Sequence, residues 1–199
     1  PDDSPYDGGA FSGDEEAIIA FTSGSTGPAK GVSFLHRMFA NQGELLGQMY
    51  GLSPDDTQVE CFAAFVIYDL IVGMTVVIPD IDMSKPATAD PAKVVRAIEH
   101  HKATGAFGSP VIWANVTRWC QKNGVTLPTV KQVLTAGAPI PRDMHLRFRD
   151  VLGEGVELFT PSGATESLPV ANIGSAEVLA ETWERTAQGH GTCVGHLFP

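Results

Sequence analysis

The sequence predicts an α/β protein, a mostly parallel sheet flanked by helices. Three observations carry that expectation. Short apolar runs recur at 59–62, 75–78, 103–107, 132–135 and 156–160. Longer segments of helical character lie between them, and three of these open on proline. Strands that alternate with helices in this way build a sheet whose crossovers pack on its faces.

Taken in order, residues 1–16 read as a loop or cut end rich in Asp, Ser, Gly and Pro. Ala17-Ile18-Ile19-Ala20-Phe21 is a continuous apolar run, the pattern of a strand buried on both faces. Residues 22–31 hold Ser, Thr and glycine and form a loop, 32–35 a second strand, and 36–50 a helix stopped by Gly51 and Pro54. The apolar stretch 61–78 contains Asp69 and Gly73, so it divides into a buried helix and strand and does not cross a bilayer. Helices are expected over 91–101, 110–123 and 141–152. Each begins with a proline, whose missing N–H costs nothing in the first turn. Gly124 and Gly153 stand where the second and third should end. Val94, Val95, Ala97 and Ile98 make the apolar face of the first. The α/β core then spans 17–174, and the glycine-rich remainder, 175–199, has no clear periodicity and reads as an irregular tail.

Composition excludes several roles. The 199 residues carry 13 Lys and Arg against 23 Asp and Glu, a formal charge of −10. That field repels nucleic-acid phosphates and anionic lipid, so neither is an expected partner. With 43% hydrophobic residues the chain is not of the disordered type. Three cysteines (Cys61, Cys120, Cys193) are an odd, scattered set, which argues against a disulfide framework and for a reducing cytoplasmic setting.

The sharpest local signal is Thr22-Ser23-Gly24-Ser25-Thr26-Gly27-Pro28-Ala29-Lys30-Gly31, directly after an apolar strand. Glycines allow close backbone approach, so that N–H groups can converge on an anion; hydroxyls add donors and Lys30 a mobile charge. These are the parts of a polyphosphate cradle. The spacing is not G-x-x-x-x-G-K-S/T, because Gly31 follows Lys30, nor is it G-x-G-x-x-G. No nucleophile elbow surrounds Ser25 either.

The segment resembles the phosphate-binding signature of acyl-adenylate-forming enzymes: acyl-CoA synthetases, fatty-acyl-AMP ligases, luciferases and adenylation domains. It matches at nearly every position, with proline and alanine exchanged before the lysine. Two later segments fit the same family in the same order. Thr135-Ala136-Gly137-Ala138-Pro139 is similar to its small-residue turn along the adenine face. Pro161-Ser162-Gly163-Ala164-Thr165-Glu166 is similar to its Y-G-x-T-E motif. The resemblance implies ATP and Mg²⁺ as cofactors, with Thr165 on phosphate and Glu166 carrying the metal. It places nucleotide contacts at Thr22, Ser23, Gly24, Ser25, Thr26, Gly27, Lys30, Gly137, Ala138, Pro139, Ser162, Gly163, Ala164 and Thr165. Lys30 either touches phosphate or orders the loop. Ser162 stands where the family has an aromatic ring against adenine, a loss of about 1–3 kcal/mol of stacking by analogy with base–aromatic contacts.

Residues 61–70, 73–79 and 162–170 look most like the long-chain branch, nearest to fatty-acyl ligases and the β-lactone synthetases of long-chain olefin biosynthesis. The implied reaction activates a carboxylic acid, a long-chain or β-hydroxy fatty acid, to acyl-AMP. Thioester formation on coenzyme A or closure to a β-lactone would follow. Phe62, Phe65, Val66 and Ile67 either line an alkyl site or are plain core. The resemblance covers the middle of such an enzyme, part of its large N-terminal domain; the family's later aspartate, hinge and small lysine-bearing domain are not in these residues. This piece alone is therefore expected to turn over little, and the alternatives are a noncatalytic nucleotide- or acyl-binding remnant or a different phosphoryl-transfer enzyme. His190, Cys193 and His196 have H-x-x-C-x-x-H spacing, but a glycine-rich segment does not hold three such ligands on one face, so no zinc is expected.

Overall fold

The computed structural model describes residues 8–22, 27–153 and 155–198. A hairpin of β1 (Glu16–Phe21) and β2 (Gly31–Leu35) leads into α1 (His36–Tyr50). The remaining strands are β3 (Thr57–Glu60), β4 (Thr75–Val77), β5 (Gly105–Gly108), β6 (Gln132–Thr135), β7 (Glu157–Ala164), β8 (Ser167–Gly174) and β9 (His196–Leu197). Between them lie α2 (Val66–Val72), α3 (Pro91–His101), α4 (Pro110–Asn123) and α5 (Arg142–Leu152). Strands β3 to β9 form one sheet in the order β4-β3-β5-β6-β7-β8-β9. All pairs from β4 to β7 are parallel, while β7–β8 and β8–β9 are antiparallel. This is the expected mostly parallel sheet flanked by helices.

The period-2 alternation of the short strands assigns the two faces. Val59, Ala106, Val133 and Leu158 point to one side, where Val94, Val95 and Ile98 of α3, Trp113 and Val116 of α4, and Met144 and Phe148 of α5 close the main core. Phe107, Leu134 and the half-buried Phe159 point to the other, where Tyr50 and Leu46 of α1 and Phe65 meet them in a smaller cluster. Proline opens α3 and α4 as read, whereas Pro141 stands just before α5 as its extended N-cap residue; the Asp90 side chain caps α3 by accepting from Ala92 N at 2.9 Å. Gly124 ends α4 with φ +65°.

Two expectations need correction. The run 17–21 is not buried on both faces: Ile19 is 49% and Phe21 69% exposed. Among the described residues the strand pairs only with β2, in a separate two-stranded sheet, and two strands alone cannot bury both faces. Secondly, the segment read as irregular after residue 174 is helical in four short pieces, Ser175–Glu177, Val178–Thr182, Trp183–Arg185 and Thr186–His190. The second and fourth have π-helical hydrogen bonding, a widened turn that a 3.6-residue periodicity does not reveal. The split of 61–78 into helix α2 and strand β4 is as expected, although Leu70 and Ile71 of α2 are exposed. Among the described residues no helix is long and apolar enough to cross a membrane.

Candidate active site

The parallel strands end together. Glu60 closes β3, Gly108 β5 and Thr135 β6, and the turn Gly137-Ala138-Pro139 leaves the sheet at this edge. β7 runs past its pairing with β6, whose last partners are Leu134 and Phe159, and carries Pro161, Ser162, Gly163 and Ala164 above the edge. The carboxyl end of a parallel sheet is where open α/β folds bind ligands, because the crossovers leave a crevice there.

Gly137 has φ +102°, a conformation that side chains with a Cβ rarely adopt, and it turns the chain sharply after β6. Gly137, Ala138 and Pro139 are exposed, so a flat ring has room against their backbone. Thr165 and Glu166 form the two-residue turn joining β7 to β8, with Ala164 paired to Ser167 across it. Gly163 is fixed by closeness: a Cβ there would sit 2.5 Å from the Ser167 carbonyl oxygen. Thr165 is half-buried, and Glu166 is exposed with no hydrogen bond or ion pair among the described residues. A free carboxylate beside a threonine hydroxyl is a hard-oxygen donor set suited to Mg²⁺. Residues Gly137–Pro139 and Ser162–Glu166 thus gather at one sheet edge.

The glycine-hydroxyl loop stands on the β1–β2 hairpin. Its neck is closed by Thr22 N donating to the Lys30 carbonyl at 3.0 Å and Lys30 N donating to Thr22 Oγ1 at 3.1 Å. Thr22 is thereby a neck residue, while Gly27 and Lys30 are exposed beside it. Ser23, Gly24, Ser25 and Thr26 lie outside the described residues. No hydrogen bond or ion pair joins Lys30 to Thr165 or Glu166 among the described residues.

Beneath the edge, on the α1 side of the sheet, lies a cleft whose open space, solvent at the mouth included, is about 580 Å³. Leu46, Phe65, Phe107 and Leu134 supply most of its apolar wall, and Pro161, Leu168 and Pro169 of the β7–β8 hairpin form its rim. Of the four apolar residues singled out in the sequence, Phe65 lines this cleft, stacked on Phe107 at 4.4 Å. Phe62 and Ile67 are exposed and Val66 is half-buried. The sequence reading missed the cleft's acidic pair, Glu60 and Asp69. Burial, joined by repulsion from Asp69, pushes the Glu60 carboxyl far above the usual range, and burial raises Asp69 as well. One signal was available: Asp69 is a charge inside an apolar run, and a buried charge needs a reason.

His190, Cys193 and His196 form no metal cluster, nor does any other group of three His, Cys, Asp or Glu among the described residues. His196 Nε2 instead lies 3.1 Å from Glu177 Oε1.

A family model described as AMP-binding enzyme matches residues 3–199. The chain belongs to the AMP-binding enzyme family. It is 43% identical over 188 residues to an olefin β-lactone synthetase of Stenotrophomonas maltophilia (strain K279a), covering 94% of this chain and 33% of that protein. To the olefin β-lactone synthetase of Xanthomonas campestris pv. campestris it is 41% identical, covering 92% and 32%. The chain therefore spans about a third of the length of these curated relatives. Among solved structures it superposes on the O-succinylbenzoate coenzyme A synthetase of Bacillus subtilis, in complex with ATP and magnesium ion. The TM-score is 0.70 with 19% identity, over 85% of this chain and 35% of that one. At that identity the likeness is one of fold.

Proposed function

We propose that the protein to which this AMP-binding chain belongs activates a fatty acid, long-chain or β-hydroxylated, as its acyl-AMP. A carboxylate oxygen bonds to the α-phosphorus of ATP as the bond from that phosphorus to the bridging oxygen breaks, and pyrophosphate leaves. The thiol of coenzyme A, or the acid's own β-hydroxyl, then attacks the acyl carbon; the bond from that carbon to the phosphate oxygen breaks, AMP leaves, the nucleophile's proton passes to solvent, and a thioester or β-lactone results. The observation that carries the reading is the shared sheet edge: the Gly137–Pro139 turn and the Thr165–Glu166 turn stand together over an apolar cleft.

The chemistry needed is electrostatic. Two unit charges at 4 Å repel by about 1 kcal/mol in water and about 4 kcal/mol at an effective dielectric of 20, and a triphosphate presents several. Glu166 and Thr165 would hold Mg²⁺, which supplies charge neutralisation at the phosphates. Thr22, Gly27 and Lys30, with Ser23, Gly24, Ser25 and Thr26 between them, would donate to the phosphate oxygens. Gly137, Ala138 and Pro139 would bound the base, and Ser162 offers it a hydroxyl where relatives place a ring. No general base is required for the first step, because the attacking acid is already ionised at neutral pH.

The test is carboxylate-dependent exchange of labelled pyrophosphate into ATP by the full-length protein. Fatty acids are expected to support exchange, and Glu166→Ala is expected to lower it by about a hundredfold or more. No exchange with any acid from a broad panel would overturn the reading.

A further inference from the structure

Strand β7 presents its residues to two spaces in turn. Pro161 rims the apolar cleft on the α1 side of the sheet. Thr160 faces the other way. With its cross-strand partner Ile173 of β8 it lines a second space of about 390 Å³, solvent at the mouth included. Side chains alternate along a strand, so Ser162, paired with Ala171, stands on the Thr160 side, one step further toward the sheet edge. Pro139 of the small-residue turn lines the same space, and so does Cys193 of the segment before β9. Both are exposed. A flat ring resting on the Gly137–Pro139 backbone and over Ser162 therefore reaches into it, and Ser162 gives that ring nothing aromatic to stack on.

Trp183 brings an indole to this space, to which no Phe or Tyr among the described residues contributes. It lies on the short turn Trp183–Arg185 between two π-helical turns, Val178–Thr182 and Thr186–His190. Widened turns of this kind are frequent at functional sites. Among the described residues the ring is half-buried, stacks on no other aromatic ring and makes no hydrogen bond through its N–H. Core packing alone explains this poorly. Trp113, the tryptophan of the main core, is fully buried and meets Phe148 edge to face. Trp183 instead borders open space beside two exposed residues, Pro139 and Cys193. A nucleobase suits such a place, being apolar on its faces and polar at its edge. Thr160, Thr182 and Thr192 add side chains with hydroxyls to the lining, which can both donate and accept along that edge.

We infer that Trp183 supplies the aromatic surface for the nucleotide base that Ser162 lacks, so that the base is held between the Gly137–Pro139 turn and a ring from the helical segment after β8. The inference rests on the nucleotide-binding part of the reading above and adds a residue that none of the three motifs contains. It involves no covalent step.

The experiment is equilibrium binding by calorimetry with the full-length protein, comparing Mg-ATP with magnesium tripolyphosphate, which has the phosphates and no base. Trp183→Ala is expected to weaken Mg-ATP binding by about tenfold or more, the size of a lost base–aromatic stack, and to leave tripolyphosphate within about twofold. Trp183→Phe, which keeps a ring, should stay within about threefold of the wild type for both ligands. Should Trp183→Ala fail to fold, Trp183→Leu keeps apolar bulk without a ring and carries the same expectation. A second readout needs no variant. Cys193 is exposed, whereas Cys61 and Cys120 are buried. Mg-ATP at about ten times its Kd should slow alkylation of Cys193, followed by mass spectrometry of its peptide, by about tenfold, and tripolyphosphate should not. Equal weakening of both ligands, unchanged Mg-ATP affinity in the variant without a ring, or alkylation of Cys193 that Mg-ATP does not slow overturns the inference and leaves acid activation to its own exchange test. Absence of Mg-ATP binding by the wild type removes the activation reading, and this inference with it.

Discussion

Gln42 Nε2 donates to the carbonyl oxygen of Leu168 at 2.7 Å, tying the middle of α1 to the hairpin that carries Thr165 and Glu166. The same amide accepts from Tyr68 of α2 through its Oε1. One side chain thus joins both walls of the cleft to its rim. Gln42→Ala is expected to raise KM for acid and nucleotide several-fold with a smaller change in kcat, and to cost about 1 kcal/mol of stability. Steady-state exchange kinetics, read with a urea unfolding curve, check this.

The hairpin's own geometry depends on Gly163, where a methyl group would meet the Ser167 carbonyl oxygen at 2.5 Å and Leu168 Cδ2 at 2.8 Å. Backbone cannot move aside cheaply. Gly163→Ala should therefore destabilise by about 1–3 kcal/mol and displace the Thr165–Glu166 turn. Loss of exchange activity beyond that seen with Gln42→Ala, together with a lowered thermal midpoint, is the expected result.

Stability should fall as pH rises through neutrality because of Glu60 and Asp69. Burial raises both carboxyls in the folded protein above their unfolded values, and repulsion from Asp69 adds to the rise of Glu60. From the ordinary carboxylate range upward the folded state then holds more protons than the unfolded one, so stability decreases with increasing pH over that span. Glu60→Gln keeps an acceptor for Phe62 N but cannot ionise, and its decline should be shallower. Thermal midpoints between about pH 5 and 9 for the two proteins measure the difference. His145, whose proton affinity burial lowers, contributes the opposite slope equally to both and cancels in the comparison.

Trp113 of α4 is fully buried against Phe148 of α5, edge to face with ring centroids 5.8 Å apart. Trp113→Ala should cost about 3–5 kcal/mol. Trp113→Phe should cost less, since it also removes an indole N–H that has no acceptor among the described residues. Chemical denaturation of the two variants gives both values.

The strands that hold Val59, Ala106, Val133 and Leu158 were legible in the sequence as short apolar runs, because a strand covered on both faces favours apolar residues along its length. The prolines opening α3 and α4 were legible for a similar reason, since they mark boundaries that local chemistry alone enforces. The strings 135–139 and 161–166 were legible because a positive φ at Gly137 and close backbone approach at Gly163 each favour glycine. Burial was not legible for Ile19 and Phe21: an apolar run states what a strand can bury, and only the fold shows that both side chains stay exposed among the described residues. Nor was the helix after residue 174, where the π-helical turns break the 3.6-residue spacing.

What the sequence by itself determined is the order of strands and helices up to β7 and the glycine- and hydroxyl-rich make-up of the segments 22–31, 137–139 and 162–166, because each depends on residues adjacent in the chain. Only the tertiary structure decided that Glu60 and Asp69, nine residues apart on a strand and a helix, face one apolar cleft under the Thr165–Glu166 turn. Their meeting depends on how α2 crosses back over the sheet edge. That crossing is set by packing between distant segments, and no local spacing records it.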